Sequence, residues 1–224
     1  MYSLSQKTNR IVFALLLVTG ICRSDVILNP EDRGMYANDG YHDTFNYAYG
    51  AGNGGTFINN NFFVFNLTGL SEQVIGAELD LLNPWSISSD PFETYTTYDV
   101  NTDLTSLMNG TGGTNAYLDL LSGNSYGNIN ISSAENGTTV SIILNAQAIQ
   151  DINNNLGGMF AIGGTLDSTI DYDNPKQEQI FGFTSSGNPV EDVSLILTAI
   201  PEPSVLVFLI LGCGVLFLRR RLMR

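Results

Sequence analysis

The sequence predicts an all-β fold, a jelly-roll-like β-sandwich with one or two short helices, and three features of the chain carry that expectation. Residues 25–200 hold 20 glycines and 22 asparagines, a composition that makes many tight turns and few long helices. Short runs of β-branched, aromatic and aliphatic residues recur between those turns. Within several runs apolar and polar residues alternate, as in Ile75, Ala77, Leu79 and Leu81 against Gly76, Glu78 and Asp80, which is the period of a strand with one face in the core. A length of 224 residues with 43% hydrophobic composition suffices for one domain with a real core and is too little for two large ones.

The chain opens with Lys7 and Arg10, the apolar run Ile11 to Val18, then Thr19, Gly20 and Ile21, with small residues at Cys22 and Ser24. This is the layout of a secretory signal peptide over residues 1–24, with cleavage leaving Asp25 as the first mature residue. Its apolar run is well short of the ~20 residues that span a bilayer, which argues against an uncleaved anchor. The β-sandwich is expected over residues 25–198. Its strand candidates are Val26 to Leu28, Thr44 to Tyr49, Asn61 to Leu67, Val74 to Leu82, Thr94 to Val100, Ala116 to Leu121, Tyr126 to Ser132, Thr138 to Leu144, Met159 to Gly163, Gln179 to Thr184 and Val193 to Ala199. A helix is expected over Asn145 to Gly157, where Asn145 caps, Ile149, Ile152 and Leu156 share a face, and Gly157 stops the turn. A shorter helical turn is expected from Asp103 to Met108.

Charge and cysteine content exclude several function classes. Residues 25–200 carry 21 acids against only Arg33 and Lys176, a net charge of about −19 that repels phosphate backbones, so no nucleic-acid partner is expected. The two cysteines, Cys22 and Cys213, lie in the two end segments, so the mature domain holds no disulfide. With one histidine and no mature cysteine there is no zinc or thiol-catalytic constellation. Gly50-Ala51-Gly52-Asn53-Gly54-Gly55 satisfies GxGxxG, but the following residues read as a strand where a dinucleotide site needs a helix. Gly123-Asn124-Ser125-Tyr126-Gly127 satisfies GxSxG, yet the only histidine, His42, precedes the serine and reads as a surface loop residue between Tyr41 and Asp43. The chain is therefore not expected to be an enzyme. Paired carboxylates are the one catalytic arrangement its composition allows.

Two groups of residues suit binding instead. Tyr36, Tyr41, Tyr47 and Tyr49 sit in a polar, glycine-rich stretch with Asn38, Asp39, Asp43 and Asn46, and Trp85 follows Asn83-Pro84 in a turn. Aromatic rings flanked by carboxylates and amides suit sugar rings, which stack an apolar face and offer hydroxyls. Phe62, Phe63 and Phe65, by contrast, read as core residues. Asp99, Asn101 and Asp103 place three oxygen ligands at alternate positions, as the start of a structural calcium loop does, although Leu104 stands where an EF-hand has glycine. Asp167, Asp171, Asp173 and Asn174 form a second acidic loop of the same kind. No cofactor beyond such a calcium ion is expected.

The C-terminal segment 199–224 has three ordered parts. Pro201-Glu202-Pro203 resists helix and sheet pairing, the fourteen residues Val205 to Leu218 are apolar or glycine, and Arg219, Arg220 and Arg221 follow. As a helix the apolar run spans about 21 Å, short for a bilayer core of ~30 Å, and the arginines hold its far end in the cytoplasm. These parts in this order resemble the PEP-CTERM sorting signal of bacteria that make extracellular polysaccharide. The resemblance implies a transient membrane helix and processing by an exosortase, with signal peptidase as the processing enzyme at the other end. Within the domain, Asn61 to Leu70 followed by Val74 to Leu81, then Thr94 to Val100 and later Met159 to Gly163, resembles DNRLRE-type extracellular domains, jelly rolls similar to carbohydrate-binding modules. Together these readings imply a protein exported across the inner membrane, transiently anchored, then displayed in the cell envelope or extracellular matrix as a structural or glycan-binding module. The alternatives are a secreted polysaccharide hydrolase or lyase using paired carboxylates, and a permanently membrane-anchored surface protein.

Overall fold

A computed structural model describes residues 23–167, 177–182 and 192–200. Most of the signal segment, Pro201, Glu202, Pro203, Arg219, Arg220, Arg221 and the acids Asp171 and Asp173 lie outside the described residues. In chain order the elements are β1 (Ser24–Leu28), β2 (Pro30–Ala37), β3 (Ala51–Asn53), β4 (Ile58–Asn66), β5 (Gln73–Asn83), β6 (Glu93–Asp99), α1 (Leu104–Met108), α2 (Gly113–Asp119), β7 (Ser125–Ile131), β8 (Thr138–Ile143), α3 (Ala146–Asn154), β9 (Met159–Leu166), β10 (Glu178–Ile180) and β11 (Val193–Ile200). The fold is all-β in two sheets, and every strand pairing among the described residues is antiparallel. One sheet has the order β1-β11-β5-β8, the other β10-β3-β4-β9-β6-β7 with β2 also paired to β4. No described helix is long and apolar enough to cross a membrane.

The main core lies between the sheets. Leu79 and Leu81 of β5, Leu195 and Leu197 of β11 and Ile142 of β8 meet Phe63, Phe65, Phe160 and Ile162 of the facing sheet. A second cluster covers the other face of β4, where Phe62 and Val64 pack with Tyr36, Leu107 of α1, and Ala116, Tyr117 and Leu120. Strand β4 is thus buried on both faces, which is why Phe62-Phe63-Val64-Phe65 is a continuous apolar run and does not alternate. Burying each of these rings is worth roughly 2 kcal/mol. In β5 the alternation shifts at one point. Val74 is buried where Ile75 was expected to be, because a bulge opposite Thr198/Ala199 inserts one residue.

Three expected strands depart from the sequence expectation, and β2 and β3 form where no strand was expected. Ala116 to Leu121 is not a strand: α2 occupies Gly113–Asp119, and its short apolar run closes the outer face of β4 with Ala116, Tyr117 and Leu120. Thr44 to Tyr49 is a loop, because Asp43 and Asn46 accept from the N–H of Phe45 (3.0 Å) and Ala48 (3.0 Å) and turn the backbone away from any strand partner. The strand expected over Gln179 to Thr184 ends at Ile180, where Phe181 enters the left-handed region (φ 54°) to place its ring against Tyr49 and Tyr95. The helix at α3 and the turn at α1 form as expected. Asn145 Oδ1 accepts from the N–H of Gln147 and Ala148, and Asp103 Oδ1 from that of Ser106.

Strand β2 carries the domain's one described buried ion pair. Arg33 Nη2 lies 3.4 Å from Asp192 Oδ2, and the guanidinium stands 4.8 Å from the Tyr49 ring centroid. Its neighbour Asp32 is half-buried, and desolvation pushes its carboxyl from 3.8 up to about 6, against the pull of the Arg33 N–H that it accepts. A carboxyl with a raised folded-state value contributes stability below pH 3.8 and loses it as pH rises through about 6. Asp32→Asn is therefore expected to stabilise the protein at pH 7 and above by about 1 kcal/mol after allowance for solvent screening, and to leave it unchanged below pH 3.8, read from urea unfolding at the two pH values.

Candidate functional site

Of the four tyrosines expected at a ligand surface, the structure removes two. Tyr36 and Tyr49 are both 0% exposed. The Tyr36 hydroxyl donates to Leu107 O (2.8 Å), and the Tyr49 hydroxyl to Leu82 O (2.9 Å) and Asp192 O (3.2 Å), so each ring fills a core and spends its polar tip on main-chain carbonyls. Tyr47 and Trp85 are half-buried and line neither of the two hollows described below, Trp85 lying against Gly182. Tyr41 alone of the four stands out, 64% exposed.

His42, expected on the surface, is instead 8% exposed. Its ring stacks on Tyr36 at 4.9 Å and meets Phe62 edge-on at 5.2 Å. Nδ1 lies 3.0 Å from Met35 O, so the neutral ring is protonated there and Nε2 holds the lone pair, with no partner among the described residues. Gly34 makes this packing possible, since a Cβ there would come within 2.6 Å of His42 Cε1. Desolvation lowers the imidazole below its ordinary 6.5, while the Met35 carbonyl and Asp43 pull the other way.

This buried ring pins the loop between β2 and β3, which forms one side of a hollow of about 200 Å³. Met35, Ala37, Tyr41 and Phe57 give it apolar surface; Asp43, Asn46 and Asn59 give it polar groups, and the edge of the His42 ring reaches its wall. Sequence reasoning found Tyr41, Asp43 and Asn46 and missed Phe57, Met35 and Asn59. Phe57 and Asn59 reach the site through the pairing of β2 with β4, in which Ala37 faces Asn59, whereas Met35 sits two residues before Ala37 on β2.

A larger polar cleft of about 450 Å³ lies between the end of β6, α3 and the start of β9. The expected calcium residues Asp99, Asn101 and Asp103 line it, together with Asn124, Tyr126 and Asp151. Asp99 accepts from the backbone N–H (2.6 Å) and side-chain amide (3.2 Å) of Asn124, and Asp103 caps α1. The backbone N–H of Asn101 donates to Asp119 Oδ2 at 2.9 Å. The Tyr126 hydroxyl donates to Asp151 Oδ2 at 3.0 Å, and burial together with Asp151 and Asp99 holds that phenol protonated far above its ordinary range. A different acidic group, Asp90, Glu93 and Glu178, brings carboxylate oxygens within 4.8 Å of one another. Nothing local in sequence joins it, because Glu178 comes from β10. Most other acids occupy exposed or half-exposed positions, as the alternation implies, whereas Glu93 is buried and accepts from Ser88 Oγ.

The ends of the described chain meet in one place. Ser24 pairs with Ala199 and Asp25 with Thr198, so the segment before residue 25 and the segment after residue 200 leave from the same end of neighbouring strands. The chain matches no known protein-family model, and no curated protein is similar to it.

Proposed function

We propose that this is an exported bacterial envelope or matrix protein whose β-sandwich, jelly-roll-like in architecture, acts as a structural or glycan-binding module after an exosortase removes the C-terminal tail. The observation that carries this reading is the fit between the folded unit and its two address segments. Strand β1 begins at Ser24, the last residue of the expected signal peptide, and β11 ends at Ile200, so the packed domain runs from the expected cleavage point to the residue before Pro201-Glu202-Pro203. Strand alternation between the sheets, from β4 to β5 to β6 and from β8 to β9, is of the kind a jelly roll uses. A chain this acidic favours neutral glycans, or anionic ones bridged by cations, and disfavours nucleic acid.

The test is intact mass and cell fraction of the protein in its host, with and without the exosortase. A species lacking residues 1–24 and the tail, found outside the inner membrane and lost when the enzyme is deleted, is the expected result. Retention of Val205 to Arg224 in both strains would make the protein a permanently anchored surface protein and remove the sorting proposal. The rival reading, a hydrolase or lyase, rests on Asp99 and Asp151 sharing the polar cleft. Their oxygens are already engaged by Asn124, Tyr126 and Gln147, an arrangement that favours a binding module over proton transfer.

A further inference from the structure

The hollow beside His42 has the chemistry of a sugar site, and its setting argues for one kind of occupant. Three of the seven large hydrophobic side chains exposed among the described residues, Tyr41 at 64%, Phe45 at 90% and Phe57 at 45%, come from this corner of the molecule. Aromatic rings held in water on a short polar loop gain nothing for folding, and they make a stacking surface for an apolar ring face. The loop that presents Tyr41 and Phe45 is fixed in advance, and Phe57 directly precedes β4. Ala37 N–H donates to Tyr41 O (2.8 Å), Tyr41 N–H to Asp39 Oδ1 (2.9 Å) and Phe45 N–H to Asp43 Oδ1 (3.0 Å), while His42 is buried beneath. A ligand therefore meets a formed site and does not bear the cost of ordering the loop.

The polar groups beside the rings are Asp43, Asn46 and Asn59, one carboxylate and two amides, which match hydroxyls that both donate and accept. No lysine or arginine lines the hollow, its one basic group, the His42 ring, is held toward the neutral form by burial, and the domain is strongly acidic, which disfavours an anionic occupant. An extended peptide adding to β2 is disfavoured too, because the Met35 carbonyl and the Ala37 N–H are already taken by His42 and Tyr41. Position agrees with display. The hollow sits where β4 begins, whereas the ends of the described chain leave beside Gln73, just past the loop that follows the end of β4.

We propose that this hollow binds one ring of a neutral polysaccharide, with Tyr41 and Phe57 stacking on the ring and Asp43, Asn46 and Asn59 taking its hydroxyls. The inference rests on the glycan-binding reading above and locates it. The test is native gel electrophoresis of the protein purified from its host, in gels cast with soluble β-glucan, galactomannan or xylan, and with alginate as the anionic comparison. The expected result is retardation by at least one neutral polymer, weakened about tenfold by Tyr41→Ala or Phe57→Ala, restored in Phe57→Trp and unchanged in Tyr47→Ala. Both residues that are removed are exposed, so the fold survives their loss. Retardation that persists in Tyr41→Ala and Phe57→Ala but is lost in Asp151→Asn would overturn this site while keeping the glycan-binding reading. Retardation by alginate alone would overturn the neutral ligand, and none in any gel would overturn site and reading together.

Discussion

Replacing Asn61 by leucine is expected to cost the domain about 3–5 kcal/mol, although leucine is the more hydrophobic residue and the position is fully buried. The Asn61 side chain of β4 joins β6 to the loop that leads into β3. Its amide donates to Tyr49 O at 2.8 Å, and its carbonyl oxygen accepts from the Tyr95 hydroxyl at 2.7 Å. The Tyr95 ring reaches this point because Gly164 has no side chain: a Cβ there would stand 1.9 Å from the phenol oxygen. Leucine would strip the acceptor from a wholly buried phenol and remove the N–H donor that the Tyr49 carbonyl accepts from. Urea unfolding should show the loss as a fall in midpoint, with a drop in Tm of roughly 10 °C for a domain of this size. Tyr95→Phe should cost less, about 1–2 kcal/mol, since it leaves only the Asn61 oxygen unpaired. In the double variant the two costs should fall short of adding by 1 kcal/mol or more. A midpoint for Asn61→Leu within 1 kcal/mol of the parent would remove the network from the account of the core.

The same residues show where the sequence is legible and where it is not. Alternation in β5 and the capped helix at α3 are local signals, and both appear where the sequence places them, the bulge at Ile75 apart. Strand β2 is invisible locally, since Pro30-Glu31-Asp32-Arg33-Gly34 has neither alternation nor β propensity; it is a strand because β4 offers it an edge. Tyrosines in polar company resemble a ligand surface until their hydroxyl partners are known. For Tyr36 and Tyr49 those partners are carbonyls at Leu107 and Asp192, far away in the chain. The run from Ala116 to Leu121 is too short for its period to distinguish strand from helix, and the uncovered face of β4 decides it. The ligand hollow was half legible for the same reason: Tyr41 and Asp43 belong to one loop, while Phe57 and Asn59 arrive by strand pairing.

Acid is expected to loosen the loop that carries Tyr41, Asp43 and Asn46, through His42. A histidine whose folded-state value lies below 6.5 costs nothing at pH 7 and above, where both states are neutral. As pH falls below 6.5 the unfolded chain takes a proton that the buried ring resists, and stability declines by up to about 1.4 kcal/mol per pH unit until the folded ring also titrates. Its surroundings give the charge little help. Tyr36 and Phe62 contact the ring, the Tyr36 hydroxyl is committed to Leu107 O, and the charged neighbour Asp43 is partly spent on Phe45 N–H. Asp32, on the same strand as Met35, works in the opposite sense, gaining stability as pH falls from about 6 toward 3.8. The two contributions oppose each other, and the single variants separate them. His42→Asn keeps a donor for Met35 O and cannot take the proton. The difference in unfolding free energy between parent and His42→Asn should therefore be constant above pH 6.5 and move in favour of the variant below it. Asp32→Asn should make the acid loss steeper. Because the chain has a single histidine, its ring C–H resonance reports the folded titration without assignment. A resonance that titrates at 6.5, with difference curves flat from pH 4 to 8, would mean that the ring is solvated and the loop is not pinned by it.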